Sequence, residues 1–126
     1  MKEATKEKQF ELLFSWDFDE MKKYTGSISD EKINDLFTIT LDDVVNFLKK
    51  ENLLAKMNYT TAGLQDGFWI NVLDSGFEFI GQERGNIEGR NFFKTYDELL
   101  TLFAKILMNK IPKYDRGNCE WYNWKK

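Results

Sequence analysis

Carboxylates are the side chains whose number and spacing could support chemistry, since the chain has 21 Asp and Glu residues and no histidine. Without imidazole, a Ser–His or Cys–His nucleophile and an imidazole-ligated zinc or iron site are excluded. Asp17 and Asp19 could share one face of a strand, as a paired acid and base must. The odd spacing of Glu78 and Glu83 puts them on opposite faces. A solvated surface explains both pairs better, so we predict no catalytic residue and no enzyme.

Metal and nucleotide motifs are also missing from the sequence. Cys119 is the single cysteine, and no calcium loop of the EF-hand type occurs. Gly81, Gly85 and Gly89 form neither a P-loop nor a dinucleotide fingerprint, because both motifs need a helix directly after the loop. We therefore predict no metal site and no cofactor.

Length and composition suit one domain. A chain of 126 residues, 42% of them hydrophobic, can bury one core, so we predict a single domain over 1–126, with residues 1–8 disordered and an aromatic tail over 112–126.

The net charge of −3 argues against nucleic acid as a partner, since phosphate binding needs clustered Lys and Arg. The chain shows no signal peptide and no run of eighteen apolar residues, which predicts a cytoplasmic protein without membrane contact. The oligomeric state stays open.

Helices are indicated by capping residues that precede apolar stripes. Thr40 is a good N-cap for a helix over 41–51, which has acids in its first turn and lysines in its last. Thr95 and Glu98 form a capping box that opens a helix running to about Asn109. A shorter helical turn is predicted from Ser29 through Phe37.

Strands are indicated by alternating apolar and polar residues. This alternation predicts strands at 53–60, 68–73 and 77–83. Asp74-Ser75-Gly76 is a tight turn, and 85–89 is predicted to be a loop. Residues 10–18 fit both a strand and a helical stripe, and their aromatic content favours a strand. The expected fold is α+β: a three- or four-stranded antiparallel meander with helices packed on one face.

The central hairpin should have two unlike faces. One carries the apolar residues Phe68, Ile70, Val72, Phe77 and Phe79 and should be core. The other mixes large apolar side chains with polar and charged ones, among them Trp69, Leu73, Ile80, Asn71, Glu78, Gln82 and Arg84. Either the tail or the N-terminal segment covers this second face, or the face binds a protein through aromatic anchors ringed by charge.

One stretch resembles a known family. The residues Gln82-Glu83-Arg84-Gly85 are followed, after six others, by Phe92-Phe93-Lys94-Thr95-Tyr96-Asp97-Glu98-Leu99-Leu100. This pattern resembles small immunity proteins of bacterial polymorphic toxin and contact-dependent inhibition systems. The resemblance implies a protein that neutralises a cognate toxin, often a nuclease with a basic active site, by tight binding. It carries over no catalytic residue, and Glu83 and Arg84 could form a structural pair at the strand end.

Under this resemblance, the second face of the hairpin and its turns should bind the toxin. The candidate partner-binding residues are Asp66, Trp69, Asp74, Glu78 and Glu83. Trp69 would be the anchor and the acids would set the association rate, unless Trp69 is buried under the aromatic tail. The alternatives are a regulatory or adaptor domain that binds another protein or a small ligand, and a histidine-free enzyme that uses carboxylates.

Overall fold

The helical N-terminal part of the chain precedes the sheet, and one further helix follows it. A computed structural model describes residues 3–61, 63 and 65–114. Over these ranges the helices are α1 (Lys6–Ser15), α2 (Phe18–Thr25), α3 (Asp30–Leu36), α4 (Leu41–Lys50), α5 (Leu53–Lys56), a 3₁₀ turn (Tyr59–Thr61) and α6 (Tyr96–Met108). The strands are β1 (Gly67–Leu73), β2 (Gly76–Glu83) and β3 (Asn86–Phe93). Cys119 and most of the aromatic tail lie outside the described residues.

The segment 10–18 is helical, so the strand predicted there is wrong. The hydroxyl of Thr5 accepts the Lys8 N–H and starts α1, which begins inside the stretch predicted to be disordered. The Asp17 carboxylate accepts the Asp19 N–H and caps α2. These local caps satisfy backbone donors that a strand would leave for a partner strand to accept.

All three helices predicted from the sequence are confirmed. Ser29 caps α3, and Thr40 caps α4 through a reciprocal bond pair with Asp43. In α6, Thr95 Oγ1 accepts the Glu98 N–H at 3.2 Å. No helix in the described ranges is long and apolar enough to cross a membrane, since even α6 has 13 residues.

The α+β class and the antiparallel meander are confirmed, with β2 central in the order β1-β2-β3. Besides the strand at 10–18, two further local predictions are wrong. Residues 53–60 form α5 and the 3₁₀ turn instead of a strand, and Met57 O accepts the Ile70 N–H at 2.6 Å beside the edge of β1. The predicted loop at 85–89 is largely the start of β3, because Glu83 already pairs with Asn86 and the turn between β2 and β3 has only two residues.

Helix α6 packs on one face of the sheet, which we call the inner face. The ring of Phe103 lies 5.4 Å from that of Phe79 and 6.4 Å from that of Phe68, measured between centroids. Ile70 is buried with them, as predicted, but Val72 is 58% exposed, so its predicted place in the core is wrong. Helices α1 and α4 pack in turn against α6. The opposite, outer face of the sheet is therefore the one whose side chains can meet a partner.

Candidate partner-binding surface

The outer face is built from cross-strand rows of side chains. Trp69 of β1 pairs with Ile80 of β2, which pairs with Arg90 of β3. The next row joins Asn71, Glu78 and Phe92 in the same way. Because paired residues point to the same side of a sheet, these six side chains share one face. Ile80 in the middle of that face is fully buried, whereas Phe92 and Arg90 are exposed.

Glu78 lies in the middle of this face and is already partnered. Its Oε1 accepts a hydrogen bond from Asn71 Nδ2 at 3.2 Å, and its Oε2 lies 3.4 Å from Arg90 Nη1. The Glu78 side chain is only 17% exposed, whereas that of Arg90 is 52% exposed. Glu78 therefore ties the three strands together and orients Arg90 of the neighbouring row, whose charged group faces solvent.

Trp69 is half-buried at one side of the outer face. Its indole Nε1 donates to Gln65 O at 3.2 Å. Gln65 O and Gly63 O also accept from the buried amide of Gln82, at 2.9 and 3.0 Å. The segment before β1 thus holds the indole edge, and part of the ring stays open to solvent.

Phe92 is the most exposed ring on the outer face, with 49% of its surface open. It packs over Gly76, where an added Cβ would lie 2.9 Å from Phe92 Cζ and would collide with the carbonyl oxygen of Phe93. A glycine at this position therefore lets the β2 backbone approach β3 closely.

Acidic side chains converge at one end of the sheet. Residues lining a shallow cavity of about 230 Å³ there include Asp66, Phe68, Gly81, Gln82, Glu83 and Glu88. We call this cavity with its three carboxylates the acidic hollow. Among the described residues, no three carboxylates converge closely enough to hold a metal ion. The hollow therefore offers negative charge around one aromatic side chain.

The five predicted binding residues fall into three places. Asp66 and Glu83 meet at the acidic hollow, while Trp69 and Glu78 lie on the outer face. Asp74 lies in the β1–β2 turn, at the far end of the sheet. Eight residues of extended chain separate it from Asp66, which is on the order of 25 Å.

Sequence reasoning missed three residues of this surface, namely Glu88, Arg90 and Phe92, because 85–89 was taken for a loop. The signal was present: a glycine as the second residue of a two-residue turn, with Asn86–Phe93 long enough to pair back on β2. The anticipated structural pair of Glu83 and Arg84 does not appear among the ion pairs of the described chain.

Comparison of the chain with protein-family models, with curated proteins and with solved structures found no match. The outer face and the acidic hollow at the end of the sheet therefore define the candidate site from the chain's own residues.

Proposed function

We propose that this chain is an immunity protein that neutralises a cognate bacterial toxin by binding it. The observation that carries the proposal is that three exposed carboxylates, those of Asp66, Glu83 and Glu88, line one hollow at the end of the sheet. Such a surface suits a basic protein, and the basic active site of a nuclease toxin is one example. The resemblance over residues 66–108, whose motif lies at 82–100, supports the same class of partner.

The aromatic and acidic groups would act at different stages of binding. Asp66, Glu83 and Glu88 are all exposed, so they attract a basic partner through solvent and set the association rate. Trp69 and Phe92 would bury more apolar surface in the complex than the three carboxylates do, so they hold the complex together and set the dissociation rate.

The size of the hollow favours a protein partner over a small ligand. Its volume of about 230 Å³ lies below the roughly 300–1,000 Å³ typical of small-molecule sites. A regulatory or adaptor domain would use the same surface for another protein, so the partner's identity separates the two functions. Binding without catalysis, metal or nucleic acid is part of the proposal.

The direct test starts from the genes that flank this one, among which we expect a gene for the toxin domain. Expression of that domain alone should arrest growth, and co-expression of this chain should restore it. Calorimetry with the two purified proteins should give 1:1 binding in the nanomolar range or tighter. Continued growth arrest together with no measurable binding would contradict the proposal.

Trp69→Ala tests the anchor within this surface. We expect affinity to fall about thirtyfold or more, which corresponds to roughly 2 kcal/mol, while the melting temperature stays close to that of the wild type. Phe18→Ala is the matched control, because Phe18 is an exposed ring on α2, outside the sheet. A stable Trp69→Ala protein that binds as tightly as the wild type would refute the anchor. A fall in melting temperature with a matching loss of binding would assign Trp69 to folding instead.

A further inference from the structure

The tip of the β2–β3 hairpin carries a residue that its backbone disfavours. Glu83 and Asn86 pair across the strands, so the turn consists of Arg84 and Gly85 alone. Both have positive φ, 53° and 79°, as a type I′ turn requires. Glycine adopts this conformation freely, and asparagine or aspartate tolerates it, whereas other side chains crowd the following carbonyl oxygen. An arginine at this position therefore costs the free chain stability.

The surrounding structure holds the backbone of Arg84 and leaves its side chain open. Asp66 Oδ1 accepts the Arg84 N–H at 2.6 Å, which fixes the turn against the start of β1. The Arg84 side chain is exposed, and in the described part of the chain its guanidinium makes neither an ion pair nor a hydrogen bond. The bond from Asp66 would hold any residue here, so an unfavourable residue whose side chain makes no compensating contact points to a role in a complex.

We propose that Arg84 is a specificity-determining contact whose guanidinium receives a carboxylate of the bound protein. This inference rests on the proposed function and adds a charge pattern to the partner. The planar fork of arginine matches a carboxylate with two parallel hydrogen bonds. Because the proposed partner is a protein, the group that matches the guanidinium is the side-chain carboxylate of an aspartate or a glutamate.

The resulting partner is a basic surface that contains one acidic residue. Its basic groups face Asp66, Glu83 and Glu88, and its acid faces Arg84. A uniformly basic protein would place a positive charge against Arg84 and be rejected, so the arginine selects among basic partners. This explains how an acidic surface can discriminate one cognate protein from others of similar charge.

The test measures stability and affinity on the same variants. Arg84→Asn should raise the melting temperature by about 2–5 °C, because asparagine suits the left-handed turn. The same variant should bind the toxin domain about tenfold or more weakly, measured by calorimetry. Arg84→Lys keeps the positive charge but loses the planar guanidinium, so its affinity should lie between those of the wild type and Arg84→Asn. Lys94→Asn removes a cation beyond the other end of β3 and should leave the affinity unchanged.

A second arm identifies the carboxylate. Acidic residues of the toxin domain are changed to lysine one at a time and tested against Arg84→Glu. One of these charge reversals should restore the affinity that Arg84→Glu loses, and none should do so if the contact does not exist.

The outcomes separate the inference from the function on which it rests. A wild-type chain that fails to bind the toxin domain defeats the proposed function, and the inference falls with it. A wild-type chain that binds, with Arg84→Asn binding equally well, overturns the inference alone. A lower melting temperature for Arg84→Asn would show that the arginine stabilises the free chain and would also overturn it.

Discussion

Single side chains that satisfy backbone groups decide where several elements begin. In α4, the Thr40 N–H donates to Asp43 Oδ2 at 3.0 Å, and the Asp43 N–H donates to Thr40 Oγ1 at 3.2 Å. The hydrogen bond from the Thr40 backbone is the largest influence that lowers the pKa of Asp43, and nearby Lys6 adds to it. The charged form of Asp43 is therefore favoured in the folded chain.

Asp43→Asn should make the folded chain less sensitive to acid. Because the pKa of Asp43 is lower in the folded chain, the unfolded chain takes up the proton first as pH falls. The stabilisation is thus present above the ordinary carboxyl range and is lost below about pH 4. Melting temperatures of wild type and variant should differ at pH 7 and converge at low pH. Asp42→Asn is the control, and a constant difference across the pH range would contradict this.

Gln9 is a second residue on which local order depends. Its amide donates to Ala4 O at 2.9 Å, and its Oε1 accepts the N–H groups of Thr38 at 2.7 Å and Ile39 at 3.0 Å. Gln9 is 3% exposed, and of the two N–H groups that it accepts, that of Ile39 belongs to a buried residue. The amide thereby holds the segment between α3 and α4 against α1.

Gln9→Leu should lower the free energy of unfolding by roughly 1–3 kcal/mol, because the buried N–H of Ile39 and the partly buried N–H of Thr38 would lose their acceptor. Urea denaturation measures this directly. Glu11→Leu places the same side chain at an exposed position of α1 and should change stability little. Equal losses in both variants would mean that the hydrogen bonds of Gln9 are not the cause.

At the scale of elements, α6 is the link between the sheet and the helical layer. Phe103 is 5% exposed and contacts rings of both β1 and β2, and its ring also lies 6.1 Å from that of Phe14 on α1. Phe103→Ala should cost about 3–5 kcal/mol, measured by urea denaturation. Thr101→Ala, at a less buried position of the same helix, should cost far less. No change in a thermal melt of Phe103→Ala would contradict the role assigned to α6.

The close contact of β2 and β3 at Gly76 gives a second prediction for the elements. Gly76→Ala should destabilise the sheet by about 1–3 kcal/mol, because the new Cβ meets Phe92 and the Phe93 carbonyl oxygen. Gly26→Ala is the matched control, since Gly26 also has positive φ but no neighbouring atom within 4 Å of an added Cβ. A similar loss in both variants would show that backbone strain alone explains the effect.

At the scale of the whole molecule, the placement of charge matters more than the net charge of −3. Combining Asp66→Asn, Glu83→Gln and Glu88→Gln should slow association with the toxin domain at low salt. The difference from wild type should shrink as salt rises, because screening weakens long-range attraction. Stopped-flow mixing at several ionic strengths measures both effects.

The control for that experiment removes the same number of negative charges from α1 and α3, through Glu7→Gln, Glu31→Gln and Asp35→Asn. All three residues are exposed and lie outside the sheet. If this control slows association as much as the variant at the acidic hollow, then overall charge, and not the hollow, steers the partner.

The sequence by itself determined the elements whose signals are local. The helices α3, α4 and α6 begin at capping residues such as Thr40 and Thr95, and the β1–β2 hairpin follows from alternation around one tight turn. These signals work because each involves hydrogen bonds or side-chain spacing within a few residues. The α+β class followed from them and is confirmed by the sheet and its helical layer.

Other elements were decided by contacts between distant parts of the chain. Residues 10–18 fit two periods. The caps at Thr5 and Asp17 favour helices, and the Phe10 ring of α1 also stacks on Phe47 of α4 at 5.2 Å. Residues 53–60 alternate like a strand, yet only Asn58 forms a bridge there, to Ile70. Alternation alone does not provide the neighbouring strand that a strand needs for its hydrogen bonds.

The candidate surface belongs to this second category. Asp66 and Glu83 are far apart in sequence and meet because Gly67 pairs with Gln82, while Glu88 joins them through the pairing of β3 with β2. The unfavourable backbone of Arg84 and the exposure of its side chain are evident only from the structure of the turn. Residue types could be read from the sequence, but strand register decides which of them share a face, and register is set by tertiary packing.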